Sequence, residues 1–203
     1  MRAPLPRLHA VTDERIARRP DLEAVAAALA AGGGGDLAFH ARGRALTGLE
    51  HYALSCRLSV LPSPLFVNDR LDVAVAVGAS GVQLGQGSLA PEHARRLNPA
   101  WWIGKSVHDL AEAEAARVEG ADYLLVGPVF ATATHPDRTP LGLEILRRTV
   151  GLGVPVVAIG GVRPERVKQV RAAGAHGVAA IRALWDAADP AEAARRMLGE
   201  LTT

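Results

Sequence analysis

The chain has 203 residues, 49% of them hydrophobic and 22% charged, which is enough apolar material for one globular domain with a sizeable core. Its formal net charge is only +2, and arginine carries nearly all the positive charge because lysine occurs only at Lys105 and Lys168. The arginines are scattered or lie on helix faces, and the aromatics (4% of the chain) do not interleave with them. No nucleic-acid partner is therefore expected.

Charges or glycines interrupt every long apolar run, so no membrane span is expected. The start, "MRAPLPRLHAVTDE", lacks the uninterrupted apolar segment of a signal peptide, and a cytoplasmic location is the expectation. The single cysteine, Cys56, excludes an internal disulfide and a cysteine-rich metal site. It lies in "EHYALSCRL", which reads as helix, and is expected to be an inert core thiol.

In chain order, the first strand is "RLHAVT" (7–12). A helix, "DLEAVAAALAA" (21–31), follows from Asp21, with "AGGGGD" (31–36) as a helix stop and flexible loop. Further strands are "DLAFHA" (36–41), "PLFVN" (64–68), "GVQL" (81–84) and "WWIGKS" (101–106). Asp109 then caps the helix "DLAEAEAARVEG", with Gly120 past its end. After the strand "DYLLVG" (122–127) comes the longest and most polar loop, "GPVFATATHPDRTPLG". The strands "PVVAIG" (155–160) and "GVAAI" (177–181) flank a helix that has Pro164 in its first turn and Val167 and Val170 on one face. A last helix starts after Asp189, with Pro190 in its first turn.

"VGASGVQL", "EGADYLLV" and "AGAHGVAA" echo one another. In each, a glycine (Gly78, Gly120 or Gly174) is expected to end a helix in the left-handed conformation, and an alanine turns the chain into a strand. Eight strand–helix units in roughly 200 residues predict an α/β fold, a single (β/α)8 barrel over residues 1–203, in preference to a doubly wound open sheet.

Ligands of such barrels bind in the loops after the strands, which limits the candidates. They are Thr12 and Asp13; His40 and Arg42; Asn68, Asp69 and Arg70; Gln83, Gln86 and Ser88; and Lys105, Ser106 and His108. The adjacent glycines of "VVAIGGVRPERV", Gly160 and Gly161, follow the seventh strand, and Ile181 and Arg182 follow the eighth. Together these four predict a phosphate cup of backbone N–H groups with one guanidinium. A tight turn with no ligand is the competing reading of the glycine pair.

The stretches "LHAVTDE", "FVNDRLDVAVAVGASGVQL", "IGKSVHDLAEAEAARVEGADYLLVGPVF", "TPLGLE" and "VVAIGGVRPERVKQVRAAGAHGVAA" together resemble the thiamine phosphate synthase/TenI superfamily. The resemblance spans nearly the whole chain and implies a (β/α)8 barrel whose small-molecule partner is a thiazole phosphate. Thiamine phosphate synthases of the superfamily use Mg2+ to join a pyrimidine diphosphate to that phosphate. They carry "VQLREK" after the second strand, a metal-binding acid two residues after the Gln of "HLGQ", and a lysine in "TxTK". At those places this chain has Ala38, His40 and Arg42, then Ser88, then His135, leaving Asp69 as the one acidic metal ligand if it is a synthase.

"LHAVTD", "GVQL…GS" and "IGKSVHDLAEA" resemble more closely the TenI-type thiazole tautomerases, which move a proton and need no metal. A metal-independent tautomerase without cofactor is therefore the first expectation. A Mg2+-dependent synthase and a catalytically silent barrel binding thiazole or thiamine phosphate are the alternatives. The tautomerases' proton-transferring histidine, in "GHVF", is Pro128 here, so His135, His108 and His40, in that order, are the candidates for the role. His9, His51, His93 and His176 are expected to be structural. By resemblance, Ser106 meets the thiazole and Gly142 lies near the phosphate. Arg42, Asn68 and Gln83 complete the expected substrate contacts. A homo-oligomer stays open.

Overall fold

The computed structural model describes residues 2–132 and 139–202. Eight parallel strands close into a barrel in chain order: β1 (Leu8–Val11), β2 (Leu37–Ala41), β3 (Leu65–Asn68), β4 (Gly81–Leu84), β5 (Trp102–Val107), β6 (Tyr123–Val126), β7 (Val156–Ile159) and β8 (Gly177–Ala180). Closure is made by β1 pairing with β8, Leu8 opposite Val178. The (β/α)8 expectation is met, with every strand within one residue of its expected bounds.

The first helices are α1 (Glu14–Ala17), α2 (Leu22–Gly33), α3 (Gly48–Ser59), α4 (Leu71–Ala76) and α5 (Pro91–Leu97). The rest are α6 (Leu110–Val118), α7 (Gly142–Val150), α8 (Pro164–Ala172), α9 (Arg182–Trp185) and α10 (Pro190–Thr202).

Local chemistry sets these bounds. Gly78, Gly120 and Gly174 have φ of +63°, +87° and +90°, the left-handed stop expected from the three echoes. Asp109 caps α6 by accepting from the Glu112 N–H at 2.7 Å. Thr47 and Glu50 form a reciprocal capping box at the start of α3.

Two expectations need correction. "AGGGGD" is the last turn of α2 followed by a 3-10 turn over Gly34–Asp36, not a loop. A Cβ on Gly32 would stand 2.1 Å from the Ala191 carbonyl oxygen, so glycine there allows α2 to pack against α10. Cys56 is half-buried on α3, outside the core.

Most strand residues are buried on both faces, as parallel strands under helices must be. One apolar layer lies between barrel and helices, with Leu8, Phe39, Val67, Trp101 and Trp185 in it. A second, smaller cluster fills the barrel and includes Val11, Phe66, Tyr123 and Val157. This packed interior pushes any ligand up to the mouth. No helix of the described residues is long and apolar enough to cross a membrane.

Candidate active site

A cavity of about 880 Å³ opens at the C-terminal mouth of the strands, within the range of small-molecule sites. Gly160, Gly161, Ile181 and Arg182 line one side of it, and Arg42, Asn68, Asp69 and Ser88 another. Gln86, Ser106 and His108 complete the expected residues that reach it. Because β3 and β7 are four strands apart in a closed ring of eight, these two rims face each other across the barrel.

The β7–β8 rim is built from backbone. Gly160 and Gly161 both hold positive φ, +94° and +64°. A Cβ on Gly160 would lie 2.5 Å from Pro128 Cα, and one on Gly161 would lie 2.5 Å from the Ala131 carbonyl oxygen. Glycine is thus required by the approach of the loop after β6 as well as by the turn. Phe130 donates its N–H to the Gly160 carbonyl at 3.0 Å, and Arg166 donates to the Gly161 carbonyl at 2.8 Å while its guanidinium lies over the Phe130 ring.

These bonds consume the glycine carbonyls and leave the amides. Among the described residues, the N–H groups of Gly160, Gly161, Val162, Ile181, Arg182 and Ala183 form no backbone hydrogen bond. Arg182 adds a guanidinium, and Arg163, which the sequence reading missed, lines the same rim. The arrangement suits a phosphate.

The β2–β4 rim is built from side chains. Thr12 Oγ1 is buried against the His40 and Arg42 carbonyls and accepts the Arg42 N–H at 2.8 Å, fixing the loop after β2. Arg42 is half-buried, and its guanidinium forms no hydrogen bond or ion pair among the described residues. Burial, with the neighbouring Arg44 adding to it, lowers the Arg42 pKa. Arg44, two residues on, also lines the cavity and was not anticipated. Asp69 adopts φ of +62°, which Asp tolerates better than most residues. Its Oδ1 accepts from the Gly85 N–H at 2.7 Å and from the Ser88 hydroxyl.

Beneath this rim, His9 and His40 are wholly buried and joined Nδ1 to Nε2 at 2.8 Å. Burial holds His9 at about 4 and pushes His40 well below its ordinary value, so both are neutral near pH 7. His9 Nε2 faces the Pro6 carbonyl oxygen at 2.9 Å and must carry its proton. His9 Nδ1 then accepts from His40 Nε2–H, which leaves His40 Nδ1 bare. Asn68 Oδ1 stands 3.3 Å from that nitrogen, acceptor facing acceptor. A half-turn of the carboxamide relieves this, bringing its NH2 to His40 and its oxygen to the cavity.

Several expected contacts do not reach the cavity. His40 is sealed below it, with its ring stacked on Phe66, and has no exposed nitrogen with which to trade a proton with a ligand. Gln83 is fully buried and donates Nε2–H to Ser106 Oγ at 3.0 Å, so it acts through Ser106, whose own proton is left for a ligand. Gly142 opens α7, its N–H bonded to the Val129 carbonyl, and does not line the cavity. Lys105 Nζ donates to the Gly85 carbonyl and braces the loop after β4.

His108 does line the cavity, with Nδ1 3.0 Å from Glu112 Oε2. His135 lies outside the described residues. His9, His51 and His176 make hydrogen bonds to backbone carbonyls, as structural histidines do.

The residues present do not fit a resident Mg2+. Magnesium needs near-octahedral oxygen ligation, commonly with one or two carboxylates beside substrate phosphates. Here Asp69 already takes two hydrogen bonds through Oδ1, and Ser88 offers a neutral hydroxyl as its neighbour. The other acid of the lining, Glu165, is on the far rim and pairs with Arg196. Among the described residues, no group of three His, Cys, Asp or Glu side chains could hold a metal.

Comparison with known proteins agrees with the motif resemblance. The family model "Thiamine monophosphate synthase" matches residues 8–184. A thiamine-phosphate synthase of Chloroflexus aurantiacus is 42% identical, covering 94% of this chain and 90% of that protein. One of Moorella thermoacetica is 43% identical, covering 88% and 87%. Among solved structures, a thiamine phosphate pyrophosphorylase from Pyrococcus furiosus superposes with a TM-score of 0.82 at 34% identity, covering 97% of this chain and 95% of that one.

Proposed function

Because the chain belongs to the thiamine monophosphate synthase family and is an enzyme of thiamine biosynthesis, we propose that it is a thiamine phosphate synthase. In this reading it is a transferase that joins a pyrimidine diphosphate to a thiazole phosphate. The observation that carries this is near full-length identity of about two residues in five to proteins bearing that name. The order expected from the sequence, tautomerase first, is thereby reversed.

The cavity's chemistry supports the same reading. Two rims that each present cationic and N–H groups, facing across one cavity, suit two phosphorylated substrates held end to end. The thiazole phosphate rests on the amides of Gly160, Gly161, Ile181 and Arg182, with the Arg182 guanidinium beside it. The diphosphate lies at the opposite rim by Arg42. Ser106, its oxygen already occupied by Gln83, donates its proton to a ring acceptor between them, and Asn68 offers an acceptor to a ring amine.

In the condensation the thiazole ring nitrogen displaces diphosphate from the pyrimidine methylene. One C–N bond forms, one C–O bond breaks, and no proton need leave the nucleophile. A synthase can therefore work without a histidine at the reacting centre. A tautomerase must move a proton, and its place for doing so is Pro128 here.

The test is to incubate the purified chain with both substrates and follow thiamine phosphate and released diphosphate. A parallel sample receives the non-aromatic carboxythiazole phosphate. Condensation is the expected result. Aromatisation without condensation would restore the tautomerase, and phosphate binding without either reaction would restore the silent barrel.

A further inference from the structure

The β2–β4 rim lacks a second metal-ligating acid yet holds two arginines whose guanidinium groups make no hydrogen bond or ion pair among the described residues. We propose that the diphosphate of the pyrimidine substrate is held there by Arg42 and Arg44, in place of a resident magnesium ion. The inference rests on the synthase reading for the identity of the diphosphate, and on this chain's own side chains for how it is held.

Three observations carry it. The half-buried Arg42 guanidinium has no partner among the described residues, and a cation drawn out of water without one is costly to fold around. A bound anion would remove that cost. Arg44 projects from the same loop, and both arginines line the main cavity and a neighbouring recess of about 230 Å³. Two planar guanidinium forks match the geometry of phosphate oxygens, which they can hold in bidentate fashion. Finally, the Asp69 carboxylate, the usual sort of metal ligand, is turned to a structural use by the Gly85 N–H and the Ser88 hydroxyl. The Ser88 hydroxyl thus spends its proton within this bond, on Oδ1.

Electrostatics point the same way. Asp13, Glu14 and Asp69 act on Arg42 electrostatically, but each takes a backbone N–H and none pairs directly with its guanidinium among the described residues. A diphosphate complements both arginines directly.

The experiment is calorimetric titration of inorganic pyrophosphate into the whole purified chain, once with EDTA and once with excess Mg2+. We expect affinities within about threefold of each other. Arg42→Ala and Arg44→Ala should each weaken binding in EDTA by about tenfold or more. Arg44 is exposed, so its variant keeps the test open should Arg42→Ala fold poorly. Ser88→Asp should create a metal requirement, binding pyrophosphate poorly in EDTA and recovering at least tenfold with Mg2+.

Binding by the unaltered chain only when Mg2+ is present would overturn the proposal, as would affinities unchanged in both arginine variants. The two readings fail separately. Metal-free pyrophosphate binding without condensation would leave this site standing and remove the synthase. Condensation with strictly metal-dependent pyrophosphate binding would do the reverse.

Discussion

The two rims of the cavity hold anionic chemistry by different means. At β7–β8 the donors are backbone amides, and their positions depend on two glycines locked under the loop after β6. At β2–β4 the donors are the side chains of Arg42 and Arg44, beside the Asn68 carboxamide and above a polar pair of buried histidines. A backbone site can be lost only by changing the path of the chain. A side-chain site can be rewritten one residue at a time with the barrel intact. That asymmetry accounts for a chain in which the glycine cup matches the superfamily while the opposite rim departs from it at Ala38, His40 and Ser88.

The comparison can be tested from its polar underside first. His9 and His40 are neutral when folded, with pKa values below the unfolded value near 6.5. The unfolded state therefore binds more protons as pH falls below 6.5, and stability drops until the folded pKa values are reached. For His9, from 6.5 to about 4, the loss is about 3 kcal/mol. Urea midpoints measured between pH 7.5 and 4.5 should fall along this slope, and a flat profile would show that the pair is not buried neutral. Below pH 6, pyrophosphate binding at Arg42 should suffer before phosphate binding at the glycines does.

Next comes the backbone rim. Gly160→Ala forces a Cβ to within 2.5 Å of Pro128 at a positive φ. It should cost about 2–4 kcal/mol in chemical denaturation, from overpacking plus the left-handed penalty. A cost under about 0.5 kcal/mol would mean the loop after β6 yields easily and the rim is not backbone-locked.

Smaller effects separate charge from frame. Arg182→Ala should weaken thiazole phosphate binding by about 1–3 kcal/mol with little change in folding stability. Calorimetry showing unaltered affinity would leave the amides alone as the cup. Ser88→Ala should lower stability by at most about 1 kcal/mol, since Asp69 keeps the Gly85 N–H. Differential scanning calorimetry is sensitive enough to register a larger loss, which would make the Ser88–Asp69 bond a main support of the loop after β4.

How far the site was legible depends on how each residue acts. Gly160 and Gly161 could be read as a pair because two adjacent glycines between strand and helix are unusual for a turn alone. Their close contact with Pro128 and Ala131 could not be read, because it joins loops some thirty residues apart. Arg42, Asn68 and Ser106 were found by counting to the ends of strands. The same counting put Gln83 and His40 in the site, since register alone does not say how deep in the barrel a side chain stops. Arg44 and Arg163 stand three and four residues past the strand ends and carried no periodic signal. The run of glycines at 32–35 was misread as a loop because its partner, α10, is remote in sequence.

Local chemistry in the chain was sufficient for the barrel. Short apolar runs, left-handed glycine stops at 78, 120 and 174, and caps such as Asp109 each act over a few residues, and a few residues are what a sequence displays. Depth, sealing and neutralisation are different in kind. Whether a histidine is buried beside another, whether a carboxylate is already spent on a serine, and whether an arginine lacks a partner are relations between strands far apart along the chain. Closing eight strands into a ring decided those, and with them which end of the cavity is held by the backbone and which by charge.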